Sequence, residues 1–446
     1  MEYYRRDIDI KLLEWKNGAS HKPLIVRGAR QVGKSSAVQH LAKQFDYFVE
    51  VNLEKRPELL NLFDDNIDVH RFCQVLSATM RVPIIPGKTL LFIDEIQSSK
   101  AAIQSLRYFW EEMPELHVVA AGSLLEFALE EMASFAVGRV RSLYLYPFSF
   151  KEFLLSQGLD AQLEIVSDCV RRMEAVPEPI HRSMCDQLRT FYLVGGMPES
   201  VSTWNKTKDF GACGYVQSDI IESYQQDFVK YKKRVNPDLL RQVFRSVALQ
   251  AGNKFVAAQV NREIPSTVIK EALHLLALAG VVHPCTHTAA NGLPLGAELN
   301  NRYVKYLLMD NGLMQNLLSL QAEDVLLSDS VSFVNKGPFS EMFAGLELIK
   351  RHDPFRRAEL YYWQNTDKGT QGEIDYLAVV GGEIIPMEAK ASTRGSMQSL
   401  YQFMQKHHSA YGVRTSMENI FVYRNGDYEV HTIPLYALSY VGDMKL

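Results

Sequence analysis

The sequence predicts an α/β chain whose first part is a doubly wound parallel sheet, and three stretches carry that prediction. Residues 24–35, LIVRGARQVGKS, pass from a short apolar strand through a glycine-framed loop into a helix. Residues 88–97, KTLLFIDEIQ, and 116–123, LHVVAAGS, are apolar runs of strand length that end on polar side chains. Strands covered on both faces read as continuous apolar runs, and the helical stretches between them supply the crossovers of a parallel sheet.

Gly28 and Gly33 frame GARQVGKS, a full GxxxxGK[ST] match. In such a loop the backbone amides of Gly28, Ala29, Arg30, Gln31, Val32 and Gly33 turn inward onto nucleotide phosphates. Lys34 reaches the outer phosphates, and the Ser35 hydroxyl ligates Mg²⁺. The helix opened by Ser35 and Ser36 points its positive end at the same anion. ATP and Mg²⁺ are therefore the expected ligands. The buried run Leu90 to Ile93 delivers Asp94 and Glu95 to its carboxyl end, where open α/β sheets bind ligands. Asp94 suits the Mg²⁺ shell, and Glu95 can polarise the water that attacks the γ-phosphate, the plain alternative being a solvated strand end. Ser123, at the tip of the next buried strand, is placed to sense the γ-phosphate or position that water. Ahead of a last strand in RSLYLYPF stand Arg139 and Arg141. Arg139 can neutralise transition-state charge in cis or from a neighbouring subunit, or else make a surface ion pair.

A chain of 446 residues suggests about three domains, and 47% apolar with 22% charged residues describes a globular protein with sizeable cores. Cys73, Cys169, Cys185, Cys213 and Cys285 are scattered without a CxxC pair, against both a zinc site and a disulfide framework. The start, MEYYRRDIDIKLLEW, lacks the apolar core of a signal peptide, and no run reaches membrane-spanning length. A cytoplasmic location is expected. A net charge of −4 gives no global basic field, so any nucleic-acid contact has to be local.

In order along the chain, GARQVGKS, LLFIDEIQ, AAGSLLEF, GRV and LYPFSFKEF resemble the predicted bacterial and archaeal AAA+ superfamily ATPases related to the STAND-like branch. In that group the C-terminal part is a domain of unknown function resembling PD-(D/E)XK nucleases. FYLVGGMPESV is similar to the group's lid segment, in which Gly196 and Pro198 look like the GxP motif that opens a helix close to the nucleotide. The resemblance implies an ATPase core over 1–155, a helical lid and connecting helix over 156–235, a winged-helix domain over 236–330 and a nuclease-like α/β domain over 331–446.

The residues read compatibly. Helical patterns at LLRQVFRSVALQAG, VAAQVNREI and PSTVIKEALHLLALAGVV precede a strand in LNNRYVKYLLMD, the order of a winged helix-turn-helix. Its third helix offers only Lys270 as a cation, which favours a structural or protein-contact role over groove reading. Lys230, Lys232, Lys233 and Arg234 close a preceding helix, where they complement the dipole or meet a phosphate backbone. Further on, Glu341 sits on a helix, and GEIDYLAVVGGEIIPMEAKAS reads as a hairpin turning at Gly381-Gly382. Side chains alternate along a strand, so Glu388 and Lys390 share a face, with Asp375 on the partner strand. Asp-x₁₂-Glu-x-Lys is the nuclease spacing, in which carboxylates hold Mg²⁺ and the lysine orients the water. A structural Glu388–Lys390 salt bridge is the other reading.

Two functions follow. The first is an ATP-hydrolysing protein that couples nucleotide state to a nuclease-like domain acting on DNA or RNA. The second is a nucleotide-dependent switch whose winged-helix and C-terminal domains are non-catalytic modules for a protein partner. A small-molecule kinase is disfavoured by IDEIQ and by the long appended domains.

Overall fold

The computed structural model describes residues 2–63, 67–132, 138–231, 234–320, 336–365, 372–390 and 397–444. The chain divides into two compact units. One comprises Met1–Pro147, Leu278–Gly280 and Asp353–Arg357, the other Phe148–Ala277, Val281–His352 and Ala358–Leu446.

In the first unit β1 (Leu24–Arg27), β2 (Tyr47–Asn52), β3 (Thr89–Asp94), β4 (His117–Ala121) and β5 (Arg141–Tyr144) form one sheet in the order β2-β3-β4-β1-β5. Every pairing is parallel, so all carboxyl ends open on one edge. Every residue of β3 and β4 is buried, which is why both read as unbroken apolar runs. The helices are α1 (Asp7–Asn17), α2 (Lys34–Ala42), α3 (Val69–Met80), α4 (Lys100–Glu112) and α5 (Leu125–Glu130). Asp68 caps α3 by accepting from the amides of His70 and Arg71, and Ser99 caps α4 by accepting from that of Ala102. Phe72 and Phe109 then meet edge to face at 5.6 Å over a core shared with Leu76, Leu91, Ile93 and Leu106. Each such buried side chain stabilises the unit by roughly 1.5–3 kcal/mol.

On β4, His117 is buried against the Trp15 ring of α1 at 5.4 Å and against Phe45 at 4.9 Å, with the His21 ring 4.0 Å away. Burial pushes its pKa down from 6.5 to about 4. The folded protein then binds fewer protons at this group than the unfolded chain does, so stability falls as pH drops from 6.5 towards about 4. One such group contributes a loss of about 3 kcal/mol. Urea melts of wild type and His117→Gln, at neutral pH and near the lower limit, are expected to show a markedly smaller acid loss in the variant. Equal losses would place the acid sensitivity elsewhere.

The second unit begins with α6 (Phe150–Leu155), α7 (Asp160–Arg172), α8 (Glu178–Val194), α9 (Pro198–Thr207) and α10 (Phe210–Asp227). Then follow α11 (Pro237–Leu249), α12 (Ser266–Leu278) and the antiparallel strands β6 (Val282–Thr288) and β7 (Leu299–Leu308). The helix expected over VAAQVNREI shrinks to a 3₁₀ turn at Ala257–Gln259. The Gln250 side chain explains the difference: it accepts from the Val256 amide at 2.7 Å and donates to the Val256 carbonyl at 3.3 Å. Asn261 adds a side-chain turn onto the Glu263 amide, so the segment's polar backbone groups are engaged locally. β6, which the hydrophobic pattern did not single out, also pairs in parallel with β8 (Leu360–Gln364), giving a sheet β7-β6-β8-β9 with β9 at Glu373–Ile374.

After α13 (Asn311–Leu317) and α14 (Lys336–Lys350), a second sheet runs β10-β11-β12-β14-β13. Its strands are β10 (Tyr376–Val380), β11 (Glu383–Ala389), β12 (Tyr411–Ser416), β13 (Phe421–Asn425) and β14 (Tyr428–Pro434), with α15 (Gln398–His407) between β11 and β12. The expected hairpin is present: Val380 pairs with Glu383 across Gly381 and Gly382, whose φ values are 61° and 89°. Two positive φ angles in succession are what a tight hairpin needs and what glycine supplies. Of the basic group after α10, Lys230 pairs with Asp227 and Arg234 with Glu271, while Lys232 and Lys233 lie outside the described residues.

Candidate nucleotide site and C-terminal carboxylate cluster

The loop between β1 and α2 takes three left-handed steps, at Gly28 (φ 143°), Gln31 (63°) and Gly33 (97°). A Cβ at Gly28 would lie 2.1 Å from the Leu145 carbonyl oxygen, so only glycine fits there. Ala29 and Val32 anchor the loop in the core, while Arg30, Gln31 and Ser36 face solvent. The buried Arg6 guanidinium ties the loop down, donating to the carbonyls of Val32 at 3.3 Å and Tyr146 at 2.8 Å. Lys34 Nζ donates to the carbonyls of Gly28 at 2.9 Å and Ala29 at 2.7 Å. Burial lowers its pKa to about 8, against the opposing pull of Glu95 and Asp94.

Opposite the loop, Asp94 Oδ2 accepts from Ser35 Oγ at 3.2 Å and from Asn52 Nδ2 at 3.1 Å. Burial and the neighbouring Glu95 charge raise the Asp94 pKa, while its donors Glu95 N–H, Ser35 and Asn52 work the other way. A hydroxyl and a carboxylate side by side are the hard oxygen donors that Mg²⁺ takes, so this pair fits the ion. Glu95 is held at φ 53°, and its Oε2 accepts from Gln97 Nε2 at 2.7 Å. The amide and hydroxyl of Ser123 approach the same oxygen at 3.4 and 3.5 Å. Lys34, Ser35, Asp94, Glu95 and Ser123 are thus brought together at one sheet edge.

Arg139 pairs with Glu111 at 3.1 Å on the surface, and Arg141 lies over the Phe355 ring at 5.1 Å. Pro198 opens α9 in the second unit, at the first helical position. Sequence reasoning missed Asn52, Gln97 and Arg6. Asn52 is the polar residue closing YFVEVN, and its register opposite Asp94 required the strand order. Gln97 lies within IDEIQ itself. Arg6 carried no local signal.

In the second unit Glu341, Asp375, Glu388 and Lys390 also converge. Asp375 Oδ2 accepts from the Ala389 amide at 2.8 Å, and Lys390 Nζ lies 2.6 Å from Glu388 Oε1. Burial and the Asp375 charge raise the Glu341 pKa to about 8 despite the nearby Lys305. Burial raises Asp375 and Glu388 as well. Among the described residues, Glu388 Oε2 is buried with no hydrogen-bond donor. Lys305, from the middle of β7, enters this cluster: its Nζ is 2.8 Å from Glu341 Oε1, 2.5 Å from Glu373 Oε1 and 4.0 Å from Asp375 Oδ1.

Comparison with known proteins agrees with the first unit. Residues 20–154 match the AAA domain family. Residues 185–324 and 336–438 match two domains of unknown function, DUF8612 and DUF4143. A five-stranded parallel sheet with a phosphate loop and an acidic strand end, over residues that match that family, is the arrangement of an AAA-type ATPase domain. No curated protein matches the chain. Among solved structures, the Walker-type ATPase PABY2304 of Pyrococcus abyssi is 16% identical, with 71% of this chain and 96% of that one covered at a TM-score of 0.45. The Aeropyrum pernix ORC1 protein in complex with DNA is 12% identical, with 74% and 93% covered at 0.29. Drosophila ORC bound to DNA is 11% identical, with 67% and 89% covered at 0.25. Among the described residues no helix is long and apolar enough to cross a membrane.

Proposed function

We propose that this protein binds ATP with Mg²⁺ and hydrolyses it, and that nucleotide state governs what the rest of the chain contacts. The observation that carries the reading is the Ser35–Asp94 pair at 3.2 Å with Glu95 and Ser123 beside it. The loop amides hold the phosphates, and Lys34 exchanges its carbonyl partners for phosphate oxygens. When bound at Ser35 and Asp94, Mg²⁺ supplies neutralising charge at the β- and γ-phosphates. Glu95 accepts a proton from the attacking water, Ser123 fixes the Glu95 carboxylate, and the products are ADP and phosphate. Arg139 remains the candidate for neutralising transition-state charge. Residues 1–155 form the ATPase core, 156–235 the lid with Pro198 at its GxP step, 236–330 a winged-helix-like segment and 331–446 a nuclease-like domain. Nucleic acid or a protein is the partner class.

Equilibrium binding of ATP tests the first step. Lys34→Ala is expected to weaken binding about 10- to 100-fold, the value of a charge-assisted contact. A wild-type protein that retains no adenine nucleotide in the presence of Mg²⁺ would falsify the assignment.

A further inference from the structure

We propose that Lys305 is a tethered cation standing where a nuclease-like carboxylate cluster would hold a divalent metal, so that the cluster is charge-compensated without a metal ion. The cluster collects Glu341 from α14, Glu373 from β9, Asp375 from the bend before β10 and Glu388 from β11. An acidic group of this kind needs a counter-charge when it is buried. Here the counter-charge is built in: Lys305 serves Glu341, Glu373 and Asp375, and Lys390 serves Glu388. Lys305 is 2% exposed, its ammonium lies 5.2 Å from the centre of the Tyr362 ring, and its backbone is fixed opposite Cys285 in the β6–β7 ladder.

Mg²⁺ binds oxygens at roughly 2.0–2.1 Å in near-octahedral geometry. An ion placed that close to Glu341 Oε1 would have to share the oxygen with the ammonium 2.8 Å from it and meet its positive charge. Lys305 belongs to the segment matched over 185–324, and the carboxylates to that matched over 336–438, so the ammonium also fastens one segment to the other.

The inference rests on the nuclease-like reading of residues 331–446 only in naming the position a metal position. Mn²⁺ titration of the full-length, nucleotide-free chain, followed by the loss of the free-ion paramagnetic signal, tests it. Wild type and Asp375→Asn are expected to bind Mn²⁺ identically. Lys305→Met is expected to gain a single Mn²⁺ site that Lys305→Met/Asp375→Asn loses, and Mn²⁺ is expected to raise the melting temperature of Lys305→Met but not of wild type. An Asp375-dependent Mn²⁺ site in wild type overturns the proposal and leaves the nuclease-like reading standing. A folded Lys305→Met that gains no site overturns both. If Lys305→Met does not fold, the comparison of wild type with Asp375→Asn, repeated with the more exposed Glu373→Gln, decides alone. Plasmid DNA incubated with Mn²⁺ is expected to be cut no faster by wild type than by Asp375→Asn.

Discussion

Glu95→Gln is expected to lower the ATP turnover number by about 10²–10⁴-fold, the range a positioned general base contributes, while leaving ATP affinity within a few-fold of wild type. The amide keeps the volume of the carboxylate and can still bond to Gln97, whose Nε2 lies 2.7 Å from Glu95 Oε2. What it lacks is basicity towards water. Ser35 and Asp94 remain, so the nucleotide stays bound and the variant accumulates ATP. Single-turnover hydrolysis alongside equilibrium binding separates the two effects. An unchanged rate constant for hydrolysis would remove Glu95 from the reaction. A variant that traps ATP but holds its partner at full strength would favour switching over turnover as the biological output.

Asp310→Ala is expected to destabilise the second unit by about 3 kcal/mol, since two buried amides lose their acceptor at roughly 1–3 kcal/mol each. Asp310 is 1% exposed, accepts from the Gly196 amide at 2.5 Å and caps α13 through the Leu313 amide at 3.0 Å. Gly195 leaves no room for adjustment, because a Cβ there would lie 2.2 Å from Asp310 Oδ1. Asp310→Asn retains one acceptor oxygen and is expected to cost about 1 kcal/mol. Hydrogen exchange at the Gly196 and Leu313 amides reads the effect locally. Protection unchanged at both in Asp310→Ala would show that the carboxylate does not hold this junction.

The phosphate loop, the acidic strand end and the tip of β4 were legible because each is contiguous. A glycine-framed spacing or a doubly buried strand is written in neighbouring residues, and burial on both faces forces the apolar run that announces it. The β10–β11 hairpin was legible for the same reason, its turn being the Gly381-Gly382 pair. Helix existence over VAAQVNREI was not, because Gln250 and Asn261 offer the backbone partners that outcompete a short helix.

By itself, then, the sequence determined which segment forms the glycine-framed loop and which segments carry the carboxylates. Only tertiary structure decided their partners. Insertion of β4 between β1 and β3 sets Ser123 against Glu95, and the β2–β3 register brings Asn52 to Asp94. Gly196 finds Asp310 across 114 positions, and Glu373 finds Lys305 across 68. Periodicity reports which face of an element is buried. Which charge meets which is settled by strand order and packing, where an unpaired buried group is too costly to persist and so selects a distant residue of opposite charge.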